Sequence, residues 1–187
     1  MILAALRPET LIQTPGRSET FAMNPKKSQN PHSILIDMIM DIPFFAMLDS
    51  LELAVVARHM NYYEVVMGET LFREGDPGDS VCFVVKGALD VFKQASTTGK
   101  PVHLATVTKH KSIGEMAVID EYTRSATVKA RSNAGILALT KSGFNAILDE
   151  NPKVGAAILK KIATLVSMNL RRTSSKLADY MNALPIT

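Results

Sequence analysis

The chain has 187 residues, enough for one domain with an appendage and too few for two full domains. Apolar residues make up 47% of it and charged residues 21%, so a packed core is within reach, while a net charge of +3 is too small to indicate nucleic acid. A lone cysteine, Cys82, excludes an internal disulfide, and neither a CxxC pair nor clustered histidines offer metal-ligand spacing.

No run is long and apolar enough for a bilayer span. The nearest, residues 154–168, is interrupted by Lys160 and Lys161, and the apolar opening stops at Arg7, Pro8 and Glu9 before a signal-peptide core forms. The expectation is a cytoplasmic protein. Residues 1–32 scatter Pro8, Pro15, Gly16, Pro25 and Pro31 among Ser, Thr, Asn and Lys, which predicts a flexible N-terminal arm. Residues 33–60 predict two amphipathic helices. The first carries Ile34, Leu35, Met38 and Ile39 behind Ser33 as N-cap and stops at Pro43. The second is capped by Asp49 or Ser50 and runs to Met60.

Over residues 61–141 the period changes. Short runs at 64–67, 70–73, 80–86, 88–94, 102–108, 126–130 and 136–139 read as strands. Gly68, the cluster over 75–79, Gly87 and residues 97–100 punctuate them as turns. Short strands at regular spacing predict an antiparallel, jelly-roll-like β-roll, not a parallel sheet. Residues 142–183 return to helix. Ser142 caps a short helix over 143–148, Asn151 and Pro152 break the chain, and a long helix follows over 153–181. Its Ile158, Ile162, Leu165, Val166, Leu170 and Leu177 share one broad apolar face. The predicted class is α+β, a β-roll flanked by N-terminal helices and a long C-terminal helix.

The chemistry concentrates in residues 113–130. Gly114 lets the backbone approach a ligand closely and turn into a short helix, whose first amides have no internal partners and suit an anion. Arg124 returns with a planar fork matched to a pair of phosphate oxygens, Ser125 adds a hydroxyl donor, and the small Ala126 leaves room. Glu115 accepts only when ionised, so it would repel a phosphate unless it faced a hydroxyl such as a ribose 2′-OH. One sugar-phosphate satisfies both charges.

That string, Ile113-Gly114-Glu115-Met116-Ala117-Val118 followed by Arg124-Ser125-Ala126-Thr127-Val128-Lys129-Ala130, resembles the phosphate-binding cassette of the cyclic-nucleotide-binding family. The family includes catabolite activator proteins, kinase regulatory subunits and gated channels. Upstream, Leu71-Phe72-Arg73-Glu74-Gly75-Asp76-Pro77-Gly78, then Val81-Cys82-Phe83-Val84 and Gly87, also resemble the family pattern. The resemblance runs from about residue 44 to 181, with Cys82 a mild departure. It implies that Glu115 binds the ribose hydroxyl and Arg124 the cyclic phosphate. Backbone amides near Met116, Ala117, Ser125 and Ala126 complete the cradle, and Val91, Leu104 and Val107 line the base and sugar pocket. The C-terminal helix supplies the base contact, either at Asn169 and Leu170 or one turn later at Thr173 and Ser174. Tyr180 is a further candidate lid.

The implied ligand is cAMP, with cGMP the other option, and the implied role is a regulatory module that signals by moving its C-terminal helix. No further cofactor or metal is expected, nor an enzyme activity. A catabolite activator carries a helix-turn-helix after the long helix. Here Thr187 follows too soon, so a stand-alone receptor without a DNA-binding domain is expected. Expected partners are the nucleotide, an unidentified effector protein, no membrane, and a second copy paired through the C-terminal helix. The competing reading is a scaffold or interaction protein on the same roll that no longer binds nucleotide. Lys109-His110-Lys111 and Arg171-Arg172 read as solvated charges.

Overall fold

The computed structural model describes residues 31–95, 99–120 and 122–182. The predicted arm therefore lies outside the described residues apart from 31 and 32, as do part of the 97–100 turn and residue 183.

Helix α1 (Pro31–Met40) begins two residues before Ser33, so Ser33 sits inside the first turn and is not its cap. Proline at the first helical position has no orphaned N–H, which suits that start. A 3-10 turn (Pro43–Phe45) leads to α2 (Ser50–Ala57), capped by Asp49. The Asp49 carboxylate accepts from the amides of Leu51 and Glu52, and the Asp49 amide donates to the Glu52 carboxylate, a reciprocal capping box. The helix ends at Ala57, short of Met60. Met60 instead opens β1 (Met60–Val65), four residues ahead of the predicted start, paired with Leu139. Leu53, Val56, Ala57 and Met60 have helical spacing and all four are buried. Long-range pairing with a distant strand overrode the helical period for the last member.

The other strands are β2 (Thr70–Phe72), β3 (Ser80–Lys86), β4 (Ala88–Gln94), β5 (Pro101–Thr108), β6 (Ser112–Ile113), β7 (Thr127–Ala130) and β8 (Ala134–Thr140). Two-residue β6 carries no readable alternation and is absent from the sequence reading. The strands form two four-stranded antiparallel sheets, β1-β8-β3-β6 and β2-β7-β4-β5, which face each other as a roll. Strand β8 runs straight into α3 (Lys141–Glu150). The cap is therefore Thr140, whose hydroxyl accepts from the Gly143 amide at 3.0 Å, and not Ser142. Helix α4 (Pro152–Asn182) follows after Asn151.

β3 and β8 are buried on both faces, which explains their unbroken apolar runs. From β3, Val81 and Phe83 point to the helices while Cys82 and Val84 point into the roll. The helical side is built on Phe44, Phe45 and Phe83, with ring centroids 4.7–5.0 Å apart. The inside of the roll holds Leu71, Leu89, Val91, Val128 and Ile136. The predicted stripe on α4 divides. Ile158 and Ile162 are fully buried and Leu165 and Val166 pack partly, whereas Leu170 and Leu177 are exposed.

Candidate functional site

A cavity of about 570 Å³ opens between β4, β5, the segment over residues 111–126 and one face of α4. That volume suits a small-molecule ligand. Twelve of the fifteen ligand-contact candidates read from the sequence line it. Val91, Leu104 and Val107 form the sheet wall, Gly114, Glu115, Met116 and Ala117 one rim, Arg124, Ser125 and Ala126 the other, and Asn169 and Thr173 the helical side. The two rival positions on α4 are thus both present, one turn apart on the same face. Leu170, Ser174 and Tyr180 do not line the cavity.

Local structure explains the placement. On β4 and β5 the register shifts between Val91, opposite Ala105, and Phe92, opposite His103. Leu104 is left as the bulged residue, and a bulge re-aims a side chain. Gly114 is left-handed with φ +77, and a Cβ there would run into Arg124 Nη1 and approach the Ser80 carbonyl oxygen to 3.1 Å. It launches a 3-10 turn (Glu115–Val118). Within that turn the Ala117 amide already donates to the Gly114 carbonyl at 3.2 Å. Gly78 packs its backbone against Ala117, so the upstream glycine cluster and this turn fit face to face.

Arg124 is the centre of the polar wall. Its side chain is 3% exposed. Its backbone is bracketed by the loop after β2, with the Arg124 amide on the Asp76 carbonyl at 2.8 Å and the Gly75 amide on the Arg124 carbonyl at 2.9 Å. This is the physical link between the two sequence motifs. Nη1 donates to the Ser80 carbonyl at 2.7 Å and Nη2 to the Ser80 hydroxyl at 3.0 Å. Asp79 Oδ1 stands 3.6 Å from Nη2, and the Phe72 ring centroid lies 4.2 Å from the guanidinium carbon. Nε is buried without a partner. Burial pulls the guanidinium pKa down, opposed by the Asp79 and Asp76 carboxylates.

Glu115 accepts from the Asn169 amide nitrogen at 2.9 Å, which ties the cassette turn to α4. Across the cavity Lys93 donates to the Ser125 carbonyl at 2.7 Å and to Glu74 at 2.8 Å. The hydrogen bond from Lys93, and after it that from the Gln94 amide, draws the Glu74 carboxyl below its ordinary pKa. Lys93, Lys111 and Arg172 also line the cavity and carry no role in the sequence reading, nor do Phe72 and Ser80. Ser80 had a readable signal, a polar residue at the head of the buried run Val81-Cys82-Phe83-Val84. Among the described residues no group of acidic, histidine or cysteine side chains is arranged to hold a metal ion, and no helix is long and apolar enough to cross a membrane.

The family model described as "Cyclic nucleotide-binding domain" matches residues 64–151. A crystal structure of a cyclic nucleotide-binding domain from Methylobacillus flagellatus KT superposes with TM-score 0.71 at 24% identity, over 83% of this chain and 85% of that one. The N-terminal domain of a transcriptional regulator from Streptomyces coelicolor is 31% identical, with TM-score 0.62 over 75% of this chain and 95% of that one. Residues 64–151 of this chain belong to the cyclic nucleotide-binding domain family. Among curated proteins, a cyclic nucleotide-gated potassium channel of Mesorhizobium japonicum is 32% identical over 126 residues, 67% of this chain and 33% of the channel. A cAMP-dependent protein kinase regulatory subunit of Aspergillus niger is 27% identical over 108 residues, 58% of this chain and 25% of that one. This chain thus spans about a third of the length of the channel and a quarter of that of the kinase subunit.

Proposed function

We propose that this cyclic nucleotide-binding domain is a receptor for cAMP, without catalytic activity of its own, that signals through the position of α4. One observation carries the reading. A buried guanidinium with an unpaired N–H and a carboxylate line the same cavity, so the ligand must present an anion and a hydroxyl together. A cyclic ribose phosphate does. In this reading Arg124 takes the cyclic phosphate, Glu115 the ribose 2′-hydroxyl, and backbone groups near Gly114, Met116, Ala117, Ser125 and Ala126 surround the phosphate. Val91, Leu104 and Val107 hold sugar and base, and Asn169 or Thr173 meets the base edge. The similarity to the cAMP-dependent protein kinase regulatory subunit of Aspergillus niger favours cAMP as the ligand.

The bond from Asn169 to Glu115 supports the signalling role. Occupant and helix address the same carboxylate, so filling the cavity changes the balance of α4 contacts. A ligand shifts such an equilibrium only by its differential affinity for the two arrangements. The distal part of α4 presents Leu170, Leu177 and Tyr180, spaced by seven and three residues and all exposed, which suits pairing with a second copy or an effector protein.

Titration calorimetry with cAMP and cGMP tests the reading. Wild-type protein should bind cAMP at micromolar concentration or tighter and cGMP more weakly. Arg124→Ala should lose roughly thirtyfold to several thousandfold, since removing a buried charged partner costs about 2–5 kcal/mol. Folded, ligand-free wild-type protein giving no heat with either nucleotide favours a scaffold on the same roll.

A further inference from the structure

The distal part of α4 is exposed on every side. Each residue from 167 to 182 is open to solvent, and the side-chain bond from Asn169 to Glu115 ties this stretch to the body. A helical segment of that length is marginal in water when packing does not hold it. Thr173, Ser174 and Ser175 lower its helical preference further. The Ser175 hydroxyl donates back to the Arg171 carbonyl at 3.1 Å, a contact that weakens a helix slightly. Local opening here is therefore cheap.

The stretch contains Arg171-Arg172-Thr173-Ser174-Ser175. Two guanidinium groups, three and two residues ahead of a hydroxyl, are a charge pattern of the kind by which protein kinases choose substrates. Neither guanidinium is engaged by another group among the described residues. Of the three hydroxyls, Thr173 lines the cavity and Ser175 is turned onto the Arg171 carbonyl. Ser174 lies outside the cavity lining with its hydroxyl uncommitted.

We propose that Ser174 is a modification site, phosphorylated by an arginine-directed serine/threonine protein kinase, and that a ligand in the cavity protects it. The Ser174 oxygen attacks the γ-phosphorus of ATP, and the bond from that phosphorus to the oxygen bridging to the β-phosphate breaks. ADP leaves, and the hydroxyl proton passes to the kinase's catalytic carboxylate. The product carries about two negative charges beside Arg171, one helical turn away, which suits a charge-assisted bond. It also offsets the surplus of Arg171, Arg172 and Lys176 over Asp179 on this stretch. Protection arises because opening the helix for the kinase displaces Arg172 and Thr173 from the cavity wall. Protection rests on the receptor function proposed above, whereas the acceptor site does not.

The test incubates the full chain with Mg²⁺, ATP and the isolated catalytic subunit of cAMP-dependent protein kinase, an arginine-directed enzyme that does not itself respond to cAMP. Peptide mass spectrometry locates the phosphate. Expected is one phosphate at Ser174, kept in Ser175→Ala and absent in Ser174→Ala. Replacing Arg171 and Arg172 by alanine should slow its addition about tenfold or more, the worth of a charged hydrogen bond. Saturating cAMP should slow it about fivefold or more. These positions are exposed, so the variants fold. No phosphate, or phosphate on Thr173 or Ser175 in place of Ser174, overturns the site. Equal rates with and without cAMP, in protein that calorimetry shows to bind it, overturn the protection and leave the receptor function standing. Phosphorylation at Ser174 in protein that binds neither cAMP nor cGMP overturns the receptor function and the protection together.

Discussion

Substituting Gly114 by alanine separates a backbone requirement from a side-chain one, because the protein contains its own control. Gly68 and Gly114 are both left-handed, at φ +86 and +77. An alanine in that region costs about 1–2 kcal/mol from the clash of Cβ with its own carbonyl. At Gly68 nothing lies within 4 Å of the new methyl, so Gly68→Ala should show that strain alone. For a chain of this size each kcal/mol lowers Tm by about 2–4 °C, which predicts a fall of roughly 2–8 °C. At Gly114 the methyl also meets Arg124 Nη1 and comes within 3.1 Å of the Ser80 carbonyl oxygen. The carbonyl belongs to a central strand and does not give way, so the guanidinium must leave its Ser80 bonds. Losing a charged hydrogen bond adds about 1.5–3 kcal/mol, a total near 2.5–5 kcal/mol. Thermal unfolding by circular dichroism should therefore place Gly114→Ala roughly 5–20 °C below wild type. Calorimetry should show cAMP affinity reduced about tenfold or more for Gly114→Ala and unchanged for Gly68→Ala. If the two variants match in both Tm and affinity, the close approach of Arg124 to Gly114 has no energetic consequence and the argument is wrong.

Cys82 is fully buried in β3 and burial pushes its thiol pKa up to about 11. The unfolded thiol ionises first, near pH 9, so stability should fall as pH rises from about 9 through 11, and Cys82→Ala should flatten that slope in urea titrations at each pH. A thiol reagent at pH 8 should modify Cys82 no faster than the protein opens. Sedimentation velocity checks the distal face of α4. A dimer that Leu170→Glu with Leu177→Glu converts to monomer, with cAMP affinity retained, is expected, and a strict monomer with and without cAMP refutes pairing through that face.

Local rules made most of the architecture legible. β3 and β4 run over 80–86 and 88–94 as their uninterrupted and alternating patterns predict, with Gly87 at φ +75 between them. The cassette was legible because the needs of one anion and one hydroxyl are met within residues 113–130. Its glycine, short turn and returning arginine follow in chain order. Those signals live in contiguous residues, where spacing and conformational preference act directly on the backbone.

What tertiary structure decided lies where distant segments compete for the same residues. Met60 has the spacing of a helical core position, yet pairing with Leu139 makes it the first residue of a strand. Thr140 caps α3 because β8 continues into that helix without a loop, a fact about a strand partner and not about Ser142. Asn169 and Thr173 could not be ranked from sequence because both fall on the one face of α4 that borders the cavity, and only the packed helix shows Asn169 bonded to Glu115. The partner of Ser80 was likewise not legible, although its place at the head of an apolar run was, since Arg124 lies 44 residues away. The sequence by itself determined the element types, the roll and the residue chemistry of the site. Only folding determined which groups hold Arg124, because that depends on which buried oxygens lie within 3 Å of its terminal nitrogens.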